Sequence, residues 1–145
     1  MSRLALLAAS LAASVAALAI GGCSTNTEPT QAELRERWEA QNVYPAGYKK
    51  DLLALLRTYI NDPTHLRGAA VSQPQRKSFG PGERYVACVR YQARKSDGQY
   101  AASKDGAAIF VAGKLDRFLD DPKEMGALCT GAAFMPFPEL EKLTR

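Results

Sequence analysis

The sequence has few of the residues from which enzyme active sites and metal centres are built. It contains a single histidine, His65, which excludes the zinc motifs that need two. There is no Cys-x-x-Cys redox motif, no Gly-x-Ser-x-Gly nucleophile elbow and no phosphate-binding glycine loop. The adjacent Asp120 and Asp121 are interpreted as helix-capping residues, because acid–base catalysis needs two carboxylates across a cleft. The sequence therefore indicates no reaction and favours a non-enzymatic protein.

A strong excess of positive charge is also missing. The chain of 145 residues has a formal net charge of +4. A dedicated nucleic-acid-binding domain normally carries a much stronger basic stripe. We therefore expect no nucleic acid among the partners of this protein.

The longest apolar run lies at the N terminus, over residues 4–20. Arg3 precedes it and Gly21 and Gly22 follow it, so the order is a positive start, an apolar middle and a small-residue exit. This order is typical of a secretory signal. The run is shorter than the roughly 20 apolar residues of a transmembrane helix. We interpret residues 1–22 as a signal peptide that is removed.

The stretch Ile20-Gly21-Gly22-Cys23 resembles the lipobox of bacterial lipoproteins. The resemblance implies cleavage before Cys23, a diacylglyceryl thioether on its sulfur and a third acyl chain such as palmitate on the new N terminus. Several acyl chains, at about 0.8 kcal/mol per buried methylene, hold a protein firmly on a membrane. Ser24 follows the cysteine, which by family analogy favours the outer membrane, with the domain in the periplasm. The alternatives are an uncleaved anchor and an ordinary signal with a chance cysteine.

Removal of the signal leaves 123 residues with a net charge of +3, enough for one domain. Residues 23–30 carry almost no apolar side chain beyond the cysteine and are predicted to form a flexible tether that spans about 15 Å. Thr30 and Glu33 match a capping box, which predicts a helix start. A single small domain is expected over residues 31–145. No cofactor is expected apart from the covalent lipid on Cys23.

Local patterns predict an α+β fold, in which N-terminal helices pack on an antiparallel sheet of about four strands and the C-terminal segment is irregular. Apolar residues at helical spacing predict an amphipathic helix over 47–61. Alternation of apolar and polar residues predicts a long strand over 83–95. The other expected elements are a helix at 31–41, strands at 68–73, 106–112 and 114–119, a loop at 75–82, a short helix at 121–128, an irregular segment at 130–138 and a last helix at 138–143.

With Cys23 assigned to lipid, Cys88 and Cys129 remain as an even pair in an exported chain. Such a pair is a candidate disulfide. Cys88 lies on the strand face opposite Tyr85, Val89 and Tyr91, so the bond would draw the C-terminal segment over the second face of the sheet. The alternative is a free redox or catalytic thiol, which would need an activating neighbour.

Basic residues are concentrated between residues 66 and 104, where they exceed acidic residues by six. Arg84, Arg90 and Arg94 share strand parity and are predicted to project from one face. Such a face near a membrane could bind anionic lipid head groups, cell-wall carboxylates or an acidic patch of an envelope protein. The alternative is a solvated sheet face in which arginine stems cover apolar surface.

Short motifs in the body of the chain resemble a loose group of small exported proteobacterial lipoproteins with no assigned activity. These motifs are Tyr44-Pro45-x-x-Tyr48, Asp62-Pro63, Ala70 to Pro74 and Tyr85-x-x-Cys88-Val89 followed by Gly98-x-Tyr100. The resemblance covers under half of the mature chain. It implies an α+β module and no catalytic residues.

Two functional hypotheses follow from the sequence. The first is a lipid-anchored envelope module that binds or scaffolds a partner without catalysis. The second is a small envelope hydrolase or hydrolase inhibitor. A cleft with clustered polar side chains would favour an enzyme, and an exposed patch without a cleft would favour a binder.

Overall fold

The computed structural model describes residues 28–144. The predicted signal peptide, Cys23 and most of the predicted tether lie outside the described residues. The elements in chain order are α1 (Gln31–Ala40), α2 (Tyr48–Tyr59), β1 (Arg67–Ser72), β2 (Gln75–Phe79), β3 (Gly82–Gln92), β4 (Lys104–Val111), β5 (Lys114–Leu119), α3 (Pro122–Cys129), β6 (Phe134–Pro136) and α4 (Pro138–Glu141). Among these residues, none of the helices has the length and apolar character needed to cross a bilayer.

The strands form one antiparallel sheet in the order β5-β4-β3-β1-β6. The long central strand β3 pairs with β4 on one edge. Its other edge is shared, because β2 pairs with residues 82–86 and β1 pairs with residues 89–92. The predicted α+β class and antiparallel sheet are therefore confirmed.

Within the described residues the sheet has six strands rather than about four, and the helices are not all N-terminal, since α3 and α4 come after β5. The additional strand β2 lies where a loop was expected at 75–82, because its sequence QRKSF has one large apolar residue and pairs with β3 through the backbone at a largely exposed edge. The additional strand β6 is only three residues long and lies in the segment expected to be irregular. Its pairing with β1 joins distant parts of the chain, which no local pattern reveals.

The main core lies between α2 and one face of the sheet. Leu52 and Leu56 of α2 are fully buried there, which confirms the predicted amphipathic helix. They belong to a cluster that includes Val71, Ala87, Val89, Tyr91, Phe110, Phe137 and Leu140. The C-terminal segment thus closes this core, since Phe137 and Leu140 are inaccessible to solvent.

A smaller core covers the opposite face, beneath α3. It consists of Val86, Cys88, Ala107, Ile109 and Leu128. The Cys88–Cys129 disulfide is formed, with the two Cα atoms 5.8 Å apart. The predicted pairing is therefore confirmed, and the bond fastens the end of α3 to the second face of the sheet.

Helix α1 differs from α2 because none of its residues is buried. The predicted capping box is present: the Thr30 hydroxyl accepts a hydrogen bond from the Glu33 backbone N–H, and the Glu33 carboxylate accepts one from the Thr30 backbone N–H. The backbone and side-chain hydrogen bonds of Thr30 lower the pKa of Glu33. Trp38 is the one partly buried residue of the helix, so α1 contacts the sheet mainly through this side chain.

Candidate functional site

The three arginines predicted to form a basic face lie in different surroundings. Arg84 and Arg90 stand on the face of β3 that carries Cys88, as their parity requires, and are about 20 Å apart along the strand. Arg94 follows the end of β3, where it forms an isolated bridge with Tyr100. The three do not form one exposed surface, because Arg84 is buried whereas Arg90 and Arg94 are exposed.

Arg84 is buried, with only 2% of its surface exposed. Its guanidinium stacks on Trp38, 3.5 Å from the ring centroid. It donates hydrogen bonds to the Trp38 carbonyl at 2.6 Å and to the Gln41 side chain at 3.1 Å. Burial lowers the pKa of Arg84, against the opposing charges of Glu39 and Asp116. This arginine holds α1 on the sheet and is not accessible to a partner.

Arg90 is exposed but rigidly held. Its Nε and Nη2 atoms each lie 2.6 Å from a carboxylate oxygen of Asp105. The guanidinium also lies over the Phe134 ring, 4.4 Å from its centroid. The hydrogen bond with Asp105 raises the pKa of Arg90 against a smaller effect of burial. The charge of Arg90 is therefore largely balanced, while its position is fixed.

Two other basic residues of the segment contact acidic side chains or an aromatic ring. Arg76 bridges Glu39 at 2.6 Å and Glu83 at 2.9 Å. Arg67 lies 3.9 Å from the centroid of the Tyr100 ring. Ion pairs with Glu39 and Asp105, which lie outside the segment, thus offset part of its excess of positive charge.

Two hollows lie near the end of β3, one lined by Arg90 and the other by Arg94. The larger hollow has a volume of about 680 Å³ and is lined by Arg90, Lys104, Asp105, Asp120 and Met125 among others. The smaller hollow has a volume of about 340 Å³ and is lined by Tyr59, Asp62, Tyr91, Arg94, Lys104 and Asp120 among others. Lys104 and Asp120 line both hollows, and the two hollows together are called the charged groove.

Lys104 is the first residue of β4 and lies opposite Tyr91 of β3. It is exposed, and within residues 28–144 its ammonium has no hydrogen-bond or ion-pair partner. The sequence predicts no individual role for Lys104, which contributes only to the net charge of its segment. A lysine at a strand start carries no functional signal by itself. The fold places Lys104 in the lining of both hollows.

Asp120 accepts a hydrogen bond from the Tyr59 hydroxyl, and this contact is the main reason why the pKa of Tyr59 rises to about 12. The Tyr59 ring is 45% exposed and packs edge to face on Phe118, with the centroids 5.1 Å apart. The sequence suggested a capping role for both Asp120 and Asp121. Only Asp121 caps α3, by accepting a hydrogen bond from the Lys123 N–H.

The groove carboxylates are engaged in contacts that hold the fold. Asp105 is paired at both oxygens with Arg90, and Asp120 is bonded to Tyr59. Among the described residues, no group of three or more histidine, cysteine, aspartate and glutamate side chains is placed to hold a metal ion. Chemically, the groove offers two cations that form no salt bridge within the described residues, Lys104 and Arg94, together with the Tyr59 ring and the Asp120 carboxylate.

No protein-family model, curated protein or solved structure matches this chain. The resemblances to bacterial lipoproteins and to small exported proteobacterial proteins therefore stay predictions.

We expect Asp120→Asn to return the pKa of Tyr59 from about 12 toward its usual value near 10, because the accepting carboxylate is lost. In the wild type, the raised pKa means that the contact stabilises the fold below about pH 10 and loses this effect as the pH rises through about 12. The measurement is the pH dependence of the Tyr59 Cζ chemical shift, which gives the pKa of Tyr59 in each protein. The signal is assigned by its absence in Tyr59→Phe. Asp121→Asn is the control and should leave this titration unchanged; an equal shift in both variants would contradict the contact.

Proposed function

We propose that the protein is a lipid-anchored lipoprotein of the cell envelope, held in the outer membrane through Cys23, with a periplasmic domain that binds a partner without catalysis. The observation that best supports export is the Cys88–Cys129 disulfide. Disulfides form and persist in oxidising compartments and are rare in the cytosol. The bond joins Cys88, which is buried in the small core, to Cys129 at the end of α3, as expected of a structural disulfide.

The membrane anchor is supported by the lipobox-like stretch that ends at Cys23. The first helix begins at Gln31, so only a short connection separates the lipid from the domain. At about 15 Å, this connection would keep the domain close to the membrane surface. The charged groove would then face partners in the narrow space next to that membrane.

A binding role, rather than hydrolysis, is supported by the arrangement of the groove. A hydrolase would use Asp105 and Asp120, since these carboxylates line the larger hollow. Proton transfer by Asp105 would break its double contact with Arg90, and proton transfer by Asp120 would break its contact with Tyr59. Recognition needs neither change, because Lys104 is already free to interact.

We expect Cys23→Ser to leave an unprocessed or soluble form, because the hydroxyl cannot carry the thioether-linked lipid. The measurement is the share of protein in the membrane fraction, together with the intact mass of the extracted product. The wild type should gain the mass of its acyl chains and lack residues 1–22. Ser24→Ala alters the adjacent residue and leaves the sulfur, so it should fractionate like the wild type. Normal anchoring of Cys23→Ser would overturn the lipid assignment.

A further inference from the structure

We propose that one end of the domain rests on the membrane that holds the chain, through an apolar patch formed by Val43, Tyr44 and Ala112. This inference rests on the membrane attachment proposed above and adds the surface of the domain that contacts the bilayer. It applies to a lipid on Cys23 and to an uncleaved apolar segment alike, since either would fix the chain at the membrane within a few residues of α1.

Val43 and Tyr44 are the most exposed large apolar side chains among residues 28–144. They are 52% and 49% exposed and follow each other between α1 and α2. Ala112, in the turn between β4 and β5, is exposed beside them, since a Cβ on the adjacent Gly113 would lie 3.4 Å from the Val43 Cγ1 atom. Large apolar side chains that adjoin on a surface mark contacts with a protein or a membrane.

The fold holds the apolar patch in place. The Ala112 N–H donates a hydrogen bond to the Gln41 carbonyl at 2.8 Å, which joins the end of α1 to the β4–β5 turn. The Tyr44 ring packs edge to face on the Tyr85 ring, with the centroids 5.4 Å apart, and the next residue, Pro45, is fully buried. Because the patch is already ordered, it loses little conformational entropy on contact with a partner.

The side chains of the apolar patch suit the boundary between lipid and water. Tyrosine is enriched at this boundary, because its ring enters the apolar layer while its hydroxyl stays hydrated. The Val43 and Ala112 side chains have no polar atom that would need a hydrogen-bond partner. A bilayer surface is therefore the occupant that this combination favours.

The charges beside the apolar patch are nearly balanced. Asp51 accepts a hydrogen bond from the Leu115 N–H at 3.4 Å, so the first turn of α2 lies beside the start of β5. Lys50 and Lys114 are exposed there and can reach lipid head groups with their long side chains, but Asp116 is exposed as well. Apolar contact, and not net charge, therefore drives the docking.

The apolar patch lies at the end of the sheet where the first helix packs. Trp38 of α1 donates a hydrogen bond to the Glu83 carbonyl at 2.7 Å, and Gln41 contacts the β4–β5 turn. The seven residue steps from Cys23 to Thr30 span at most about 24 Å, whereas the ten residues of α1 span only about 15 Å. The connection is thus long enough for the patch to reach the bilayer whichever way α1 is inclined.

Membrane attachment makes a contact of this size sufficient. The apolar patch is small and would bind weakly as part of a free protein, but a short flexible connection raises the effective concentration to the order of millimolar. Docking also orients the domain, because β4 runs from Lys104 to Val111 at the patch end, over roughly 25 Å. The charged groove is then directed away from the bilayer, toward its partner.

Nuclear magnetic resonance spectra of the protein as the cell processes it, in lipid nanodiscs, test the contact. The nanodiscs contain phosphatidylethanolamine and phosphatidylglycerol, with a small share of lipid whose head group carries a gadolinium chelate. This paramagnetic ion broadens nearby signals, so the amide signals of Val43, Tyr44 and Ala112 should be lost. The signal of Gly98, between β3 and β4 at the opposite end of the sheet, should remain. Equal loss at both ends, or greater loss at Gly98, would overturn the proposal.

Two substitutions of similarly exposed side chains assign the contact. Val43→Ser removes much of the apolar surface and leaves the ring pair of Tyr44 and Tyr85 intact, so it should restore the signals of Tyr44 and Ala112. Tyr59→Ser removes a tyrosine that is 45% exposed at the other end of the domain, so it should keep the wild-type pattern of loss. An unchanged pattern in Val43→Ser would show that the patch does not hold the domain on the bilayer.

Intact mass and sedimentation of the same samples separate the remaining outcomes. Acyl chains in the mass with equal loss at both ends would refute the patch and leave the anchor. A mass without acyl chains would refute the lipid anchor, and selective loss of the patch signals with added nanodiscs would then support the patch on its own. Self-association without lipid that Val43→Ser abolishes would assign the patch to a second copy of this chain and overturn the membrane contact.

Discussion

Replacement of both disulfide cysteines, in Cys88→Ala/Cys129→Ala, is expected to lower the free energy of unfolding by about 4 kcal/mol. The bond closes a chain segment with a sequence separation of 41 residues, and the entropy of closing such a loop in the unfolded chain sets this magnitude. The effect is large because the core beneath α3 consists of few residues, so little else holds this helix on the sheet.

Urea denaturation of the oxidised protein and of the double variant measures the difference. The thermal midpoint should fall by roughly 15 °C. Reductant should destabilise the wild type to a similar extent and have no effect on the double variant, which serves as the control for side effects of the reductant. If the double variant is as stable as the oxidised wild type, the disulfide does not stabilise the fold.

Replacement of the buried arginine, in Arg84→Ala, is expected to release α1 from the sheet. Helix α1 has no buried residue, and Arg84 contacts it through the ring and the backbone carbonyl of Trp38. Loss of a stacked guanidinium and its charged hydrogen bonds should weaken the docking of α1 by about 2–3 kcal/mol. Amide hydrogen exchange in α1 should then accelerate roughly 30- to 150-fold.

Trp38 is the only tryptophan of the chain, so its fluorescence reports the docking of α1 directly. Its ring lies against the β2–β3 hairpin, where a Cβ on Gly82 would come within 2.8 Å of it. In Arg84→Ala the emission should shift to the red as the ring enters water. Arg84→Lys should behave similarly, because a lysine lacks the planar fork that stacks and donates together.

Arg76→Gln provides the matched control for the buried arginine. Arg76 also contacts α1, through Glu39, but both side chains of this ion pair are exposed. Exposed ion pairs contribute at most about 1 kcal/mol, so the fluorescence and the exchange of α1 should change little. Equal effects of Arg76→Gln and Arg84→Ala would show that burial of Arg84 does not hold the helix.

Local sequence patterns determined the elements whose signals lie within a few residues. The capping box at Thr30, the apolar face of α2 and the alternation in β3 depend only on the periods of a helix and a strand. The pairing of Cys88 with Cys129 followed from the number of cysteines, since one was assigned elsewhere. The lipobox-like stretch at Cys23 can also be recognised without a structure, because its four residues are consecutive in the sequence.

Tertiary structure alone decided which charged residues are available for binding. Strand parity assigns Arg84 and Arg90 to the same face, but burial depends on what packs above each position, and α1 covers only Arg84. The charged groove likewise joins Tyr59, Lys104 and Asp120, which come from α2, the start of β4 and the end of β5. The strands β2 and β6 were missed because backbone pairing with a distant strand forms them, so short polar segments gave no local signal. The periodicity of a segment determines which of its faces carries the apolar side chains. Contacts between distant segments determine what packs on that face, and hence the chemistry of its side chains.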